Sequence, residues 1–242
     1  MLITLRSLLY FLSMSMSIIV FGLTISSVGR LFSLSTRDRL ASAWASTNLW
    51  LMKNICGLNY RIQGKENLPR DAAIVMSKHQ STWETIALKK ILKREQSWIL
   101  KRELMWLPFL GWAVASIPNI AINRKAGRKA VKQIVEQGIP LLQQGRIIVI
   151  FPEGTRTAPG EHHKYGIGGA VLAEKSGYPV VPLAHNAGVF WKRRGLKKYP
   201  GTIDVVIGEP IDPKGKKASE IIREVEAWIE SQVAQLPSRP EK

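Results

Sequence analysis

Hydrophobic and polar positions change their pattern near residue 57. Before it, apolar residues run in long uncharged stretches. After it, short β-branched runs alternate with stretches of helical period. Leu8 to Gly29 is 22 residues without a charge. As a helix rising about 1.5 Å per residue it reaches roughly 30 Å, the thickness of a hydrocarbon core. The stretch is longer than the apolar part of a secretory signal, and Ser26-Ser-Val-Gly-Arg30 is a poor cleavage site, which favours an anchor. Arg30, Arg37 and Arg39 follow it and only Arg6 precedes it, so the positive-inside rule places the bulk of the chain in the cytoplasm. Leu40, Trp44, Leu51 and Ile55 recur at helical spacing in a second apolar segment too short to span comfortably. Three arrangements stay open for it: an interfacial helix beside one span, half of a hairpin dipped into one leaflet, or a core helix of the following domain.

From Leu58 onward the runs 60–63, 73–76, 98–100, 120–122, 147–150, 180–183 and 203–207 predict strands. Residues 82–94, 127–144, 168–175 and 219–235 predict helices. The expected fold is α/β, with a largely parallel central sheet flanked by helices behind an N-terminal hydrophobic helical membrane anchor. Residues 1–57 are the anchoring unit and 58–242 the α/β domain.

Charge narrows the class of partner. Among 242 residues, 35 Lys and Arg face 18 Asp and Glu, a formal net charge of +17, while 45% of residues are apolar. The composition is globular, and the charge calls for an anionic partner: nucleic acid, an anionic membrane surface or a phosphorylated substrate. The single cysteine, Cys56, excludes an intrachain disulfide framework and a cysteine-clustered zinc site.

Two strings carry chemistry. In Ser77-Lys-His-Gln-Ser-Thr-Trp-Glu84, His79 follows a predicted strand, at the edge where open α/β sheets gather their sites. Five residues of regular helix would leave His79 and Glu84 roughly 140° apart, so they meet only if His79 stands on a loop and the helix starts after it. Ser81 or Thr82 suits the cap. A carboxylate on one imidazole nitrogen fixes the tautomer and leaves the other nitrogen as a base. A satisfied surface pair is the other reading of these residues taken alone. The second string, Phe151-Pro-Glu-Gly-Thr-Arg-Thr157, follows the most apolar strand of the α/β part. Pro152 and Gly154 suit a turn, Gly154 admits close approach to the backbone, and the guanidinium of Arg156 matches phosphate oxygens. Arg124 and Lys101 also follow predicted strands, in a stretch from Lys89 to Lys132 with eleven cations and two acids.

In order, His79 and Glu84, Arg124 in Ile-Asn-Arg, the Phe-Pro-Glu-Gly-Thr-Arg string and Val181-Pro-Leu183 resemble the four motifs of the glycerolipid acyltransferases. The resemblance covers about residues 58–210. It implies transfer of a fatty acyl group from a thioester, acyl-CoA or acyl carrier protein, to the sn-2 hydroxyl of lysophosphatidate, with no cofactor and no metal. His79 would be the base and Glu84 its partner, although the family usually has Asp there. Arg124 and Arg156, with Lys101, would hold the phosphate. Glu153, Gly154 and Thr155 would border the acceptor, Glu153 accepting from its glycerol or orienting Arg156. Val181, Pro182 and Leu183 would wall the acyl pocket. The only cysteine lies in the anchor region, which argues against an acyl-enzyme.

Rival readings remain. Lys192, Arg193, Arg194, Lys197 and Lys198 with Trp191 and Tyr199 could bind nucleic acid, but no nucleic-acid-binding signature accompanies them, and a basic segment beside an anchor fits anionic membrane lipid better. His79, His162 and His163 could ligate a metal, but adjacent histidines are not a usual ligand spacing. A sister acyltransferase acting on glycerol-3-phosphate or a lyso-aminolipid is the nearer alternative.

Overall fold

Strands buried on both faces read as continuous apolar runs, and the central ones here do so. In the computed structural model, which describes residues 1–123 and 126–238, Ile74 and Met76 point to one side of the sheet and Val75 to the other. Ile148 and Ile150 likewise oppose Ile147 and Val149. Seven strands form the sheet: β1 (Leu58–Gln63), β2 (Ile74–Ser77), β3 (Gln96–Lys101), β4 (Ile120–Ile122), β5 (Ile147–Ile150), β6 (Val180–His185) and β7 (Gly201–Ile207). Their order is β1-β7-β6-β2-β5-β3-β4. All neighbouring pairs are parallel except β6 with β7. The sheet is thus mostly parallel, as the alternation of elements implies.

Eight α-helices accompany it among the described residues: α1 (Leu2–Val28), α2 (Leu34–Leu51), α3 (Trp83–Ile91), α4 (Leu110–Ala115), α5 (Arg128–Gln143), α6 (Gly168–Ser176), α7 (Ala187–Phe190) and α8 (Ala218–Gln235). The short α4 and α7 have too few turns to leave a period in the sequence. One apolar layer joins α5, α6 and α8 to the sheet through Ile134, Leu172, Ile221 and Val225. The opposite layer contains α3 and α7, and also Tyr10, Met14, Ala45, Leu49 and Cys56 from the segment before residue 57. The change of pattern at residue 57 coincides with Gly57, whose φ of 67° turns the chain from helix into β1. The helices before it nevertheless share a core with the sheet.

Helix α1 packs by one stripe only. Ser7, Tyr10, Met14, Gly22 and Ile25 are buried, while Leu5, Leu9, Leu12, Met16, Val20 and Leu23 are exposed. Gly22 permits the contact with α4, because a Cβ there would stand 2.5 Å from the Phe109 carbonyl oxygen. Helix α2 is tied to the α/β part by charge. Buried Asp38 accepts from Lys89 on α3 at 2.5 Å and from Arg146, just before β5, at 2.8 Å. Arg146 also bonds Glu95 at 2.9 Å and Ser97 Oγ at 2.8 Å.

This cluster places two cations around one carboxylate inside the protein. Removing the carboxylate leaves Lys89 buried without its acid and Arg146 with Glu95 alone, and breaking a buried pair typically costs ~3–5 kcal/mol. Asp38→Ala is therefore expected to lower the thermal midpoint of the detergent-solubilised chain by many degrees, and Asp38→Asn by less. A midpoint unchanged in both variants would show that α2 is not held by this cluster.

Candidate active site

Because β2 and β5 are neighbours, the loops that leave their carboxyl ends meet, and each carries one of the two strings. His79 stands on the loop after β2, and α3 begins only at Trp83. The imidazole Nδ1 lies 2.8 Å from Glu84 Oε1. The same oxygen accepts the backbone N–H groups of Gln80 at 2.8 Å and Ser81 at 2.7 Å. The Ser81 hydroxyl accepts from the Trp83 N–H at 3.2 Å, so it serves the start of α3, and Thr82 makes no side-chain cap.

Glu84 is fully buried. Burial pushes its pKa up, but His185, His79 and the Ser81 N–H outweigh that and hold it below the usual carboxylate value. His185, at the end of β6, is also fully buried, with Nε2 3.9 Å from Glu84 Oε2. Its Nε2–H donates to the Lys78 carbonyl at 2.9 Å, and its Nδ1 accepts the Ala187 N–H at 3.2 Å. That bonding defines a neutral imidazole, in keeping with a pKa pushed down mainly by burial. With Glu84 on Nδ1, the free nitrogen of His79 is Nε2. The ring stacks on Phe151 at 4.0 Å between centroids.

His79 forms part of the wall of an apolar cavity of about 340 Å³. Met14, Ile18 and Phe21 of α1 and Trp44 of α2 line one side. Leu104, Leu110, Ala113 and Ile117, from around α4, line another. Arg156 enters the same wall beside His79, half-buried, and its Nε has no hydrogen-bond partner among the described residues. Burial weakens its hold on its proton, Glu84 opposes that effect, and Arg193 adds to it.

The other expected site residues divide. Gly154 has φ 68° with open space where a Cβ would be, and Thr155 is half-buried in the same turn. Glu153 does not line the cavity. Its side chain is fully buried, with Oε1 3.1 Å from Lys78 Nζ and 3.2 Å from the Thr157 hydroxyl. Lys101 is exposed and pairs with Glu103 at 3.2 Å, and it is not part of the cavity wall. Val181, Pro182 and Leu183 do not line the cavity either. Val181 and Leu183 are buried in the layer shared with Trp83 and Phe151, as befits a central strand covered on both faces, whereas Pro182 borders a separate cavity with Ile207, Pro210 and Trp228. Arg124 lies outside the described residues. Cys56 is buried with its thiol 3.7 Å from the Arg6 carbonyl, away from the cavity wall. His162 bonds Glu226 at 2.8 Å, and among the described residues no group of three His, Cys, Asp or Glu side chains gathers as a metal site.

Sequence reasoning passed over Lys78, Phe151 and Thr157. Thr157 donates its N–H to the His79 carbonyl at 2.8 Å, and so joins the two loops. The only signal for these residues was their place inside or beside the two strings.

A family model described as Acyltransferase matches residues 59–186. Over 235 residues the chain is 39% identical to a 1-acyl-sn-glycerol-3-phosphate acyltransferase of Pseudomonas aeruginosa, covering 96% of this chain and 91% of that one. It is 29% identical over 195 residues to a chloroplastic protein of the same description from Arabidopsis thaliana, covering 78% of this chain and 52% of that one. The crystal structure of a 1-acyl-sn-glycerophosphate acyltransferase from Thermotoga maritima superposes with a TM-score of 0.74, covering 98% of this chain and 97% of that one. At 24% identity, that likeness bears on the fold.

Burial pushes the Glu153 carboxyl up to about 7, against the pull of Lys78 and with the help of Glu230. The folded protein therefore binds this proton more tightly than the unfolded chain. The resulting stability is full below the ordinary carboxylate pKa and is lost as pH rises through about 7, some ~3 kcal/mol across that window. Glu153→Gln removes the titration. The thermal midpoint of the wild type relative to this variant is expected to fall between pH 5 and pH 8, and a constant difference would contradict the assignment.

Proposed function

Because the chain belongs to the acyltransferase family, we propose that it moves a fatty acyl group from a thioester to the sn-2 hydroxyl of 1-acyl-glycerol-3-phosphate, giving phosphatidic acid. The observation that carries this reading is the His79–Glu84 pair in the wall of an apolar cavity with Arg156 beside it. An alcohol is a poor nucleophile at neutral pH. His79 Nε2 takes its proton as the oxygen attacks the thioester carbonyl, and Glu84 stabilises the imidazolium that forms. The tetrahedral intermediate collapses to the ester, and the departing thiolate receives the proton back from His79. No cofactor enters. The donor is acyl-CoA or acyl carrier protein, each an anionic carrier suited to a basic surface.

Arg156, in the cavity wall, binds the acceptor phosphate, and Arg124 is assigned to the same phosphate by its motif alone. Glu84 takes the N–H groups of Gln80 and Ser81, and the His79 carbonyl takes that of Thr157. Donors to the oxyanion therefore come from other groups. An acyl chain fits between α1 and α4, in place of the pocket expected from Val181 to Leu183.

The membrane reading draws on α1, the one helix among the described residues long and apolar enough to cross a bilayer. Since one stripe of α1 packs on the protein from Ser7 to Ile25, the opposite face is the one offered to lipid. Exposed Trp106, Leu107 and Trp112 continue that apolar surface beside α4, with aromatic rings suited to a bilayer interface. We therefore favour a chain lying against one leaflet, the cytoplasmic face of a bacterial inner membrane, with its exposed cations on anionic headgroups.

Purified enzyme in mixed micelles, offered lysophosphatidate, glycerol-3-phosphate and a lyso-aminolipid with each thioester donor, is expected to acylate lysophosphatidate. Preference for another acceptor would redirect the reading. His79→Ala should remove transfer while keeping the fold, and near-native turnover would sink the base assignment. Arg156→Ala should raise the acceptor KM at least ~10-fold, since a charged contact is worth more than ~1.5 kcal/mol. An unchanged KM would move the phosphate elsewhere.

A further inference from the structure

Lys78 immediately precedes the base, yet its ammonium turns away from the cavity into the protein, where the side chain is 1% exposed. A lysine is almost never buried so fully unless it is paired. Its Nζ sits between Glu153 Oε1 at 3.1 Å and Glu230 Oε1, on α8, at 2.7 Å. Tyr165 donates its hydroxyl to the same Glu230 oxygen at 2.7 Å. The backbone of Lys78 is fixed as well. Its N–H donates to the Leu183 carbonyl at 2.9 Å, and its carbonyl accepts from His185 Nε2 at 2.9 Å. One residue thus joins β2, β6, α8 and the loop after β5, and the next residue along is His79.

Glu153 completes the connection. The Thr157 hydroxyl stands 3.2 Å from both Glu153 Oε1 and the His79 carbonyl, and Arg156 lies between Glu153 and Thr157 in the chain. The loop that presents Arg156 is thus held from below by a carboxylate, and that carboxylate is held by Lys78.

We propose that Lys78 is a positioning residue for acyl transfer, its buried ammonium holding Glu153 so that the loop carrying Arg156 keeps register with His79. The inference rests on the acyltransferase reading above. Of the two roles expected for Glu153, it favours orienting Arg156, through the loop that Lys78 grips, over contacting the acceptor glycerol. Two carboxylates share one cation here. The groups facing Glu153 are Lys78 from the loop after β2, Glu230 from α8, and Tyr165 and Thr157 from the loop after β5, so the hold is strongest when Glu153 is ionised.

The test is a double-mutant cycle in mixed micelles, with kcat and acceptor KM measured separately. Displacing a catalytic group by about 1 Å can cost ~100-fold. Lys78→Met is expected to lower kcat on that order in the wild-type background and less than ~3-fold in the Glu153→Gln background, where the grip is already gone. A kcat within ~3-fold of wild type, or equal losses in both backgrounds, would overturn the proposal. If Lys78→Met shows no folded state, Glu230→Gln decides, because it leaves the Lys78–Glu153 pair in place. Loss of the Glu230 charge eases ionisation of Glu153, so the rise of kcat with pH should shift to lower pH, and an unmoved profile would overturn the proposal. A wild type that fails to acylate lysophosphatidate would sink the acyltransferase reading itself. An active wild type with indifferent variants would sink only the role of Lys78.

Discussion

A single buried oxygen, Oε1 of Glu84, organises the reacting end of this protein. It accepts from an imidazole and two backbone amides, all within 2.8 Å. An ionised carboxylate without such donors would not survive burial, because desolvation would return its proton. Here the donors come from the five residues that precede it, and the first turn of α3 adds its dipole. One acceptor therefore fixes the loop conformation, the start of the helix and the tautomer of His79 together. Moving the carboxylate would disturb all three, so the loop has little freedom to vary apart from its chemistry.

The charge of +17 is not all available to partners. Lys78, Arg146 and Lys198 are almost wholly inside. Arg146 and Lys78 hold carboxylates, and Lys198 lies over the ring of Trp191 at 4.5 Å and that of Tyr10 at 5.3 Å. These cations join segments distant in sequence: α2 to β5, β2 to α8, and α1 to the loop after α7. A net charge counted along the chain thus mixes two populations. The exposed one can attract an anionic carrier or headgroup, whereas the buried one stabilises the packing that carries the site.

Strands were legible in the sequence because burial on both faces writes an unbroken apolar run, and the long helices because a one-sided face writes a period. The approach of His79 to Glu84 was legible too, since five residues can close only around a loop. Orientation was not. Glu153 and Arg156 stand three residues apart in one string, and only one of them turns to the cavity, a choice made by Lys78 and Glu230 from elsewhere in the chain. Val181 to Leu183 showed the reverse difficulty. Val181 and Leu183 belong to a central strand and are spent on one core layer, while Pro182 borders a different cavity. The lipid-side wall was equally hidden, because it is assembled from α1, α2 and the segment around α4, which come together only in the folded chain.

His79 stands where two environments meet. Below it lies a polar layer in which Glu84, His185, Lys78 and Glu153 are bonded to one another or to backbone. Above it the cavity wall is almost entirely apolar, and the face of Phe151 covers the ring on one side. Acyl transfer between a water-borne thioester and a membrane lipid needs such a boundary. The chain requires a dry, apolar lodging, the proton needs a base of fixed tautomer, and the phosphate needs a cation that has not already been neutralised. On the proposed reading Arg156 meets the last condition, because the carboxylates of Glu84 and Glu153 are engaged by His79 and Lys78. The inner polar layer therefore does more than hold the imidazole: by engaging one oxygen of each of its acids, it leaves the Arg156 guanidinium without a carboxylate partner among the described residues.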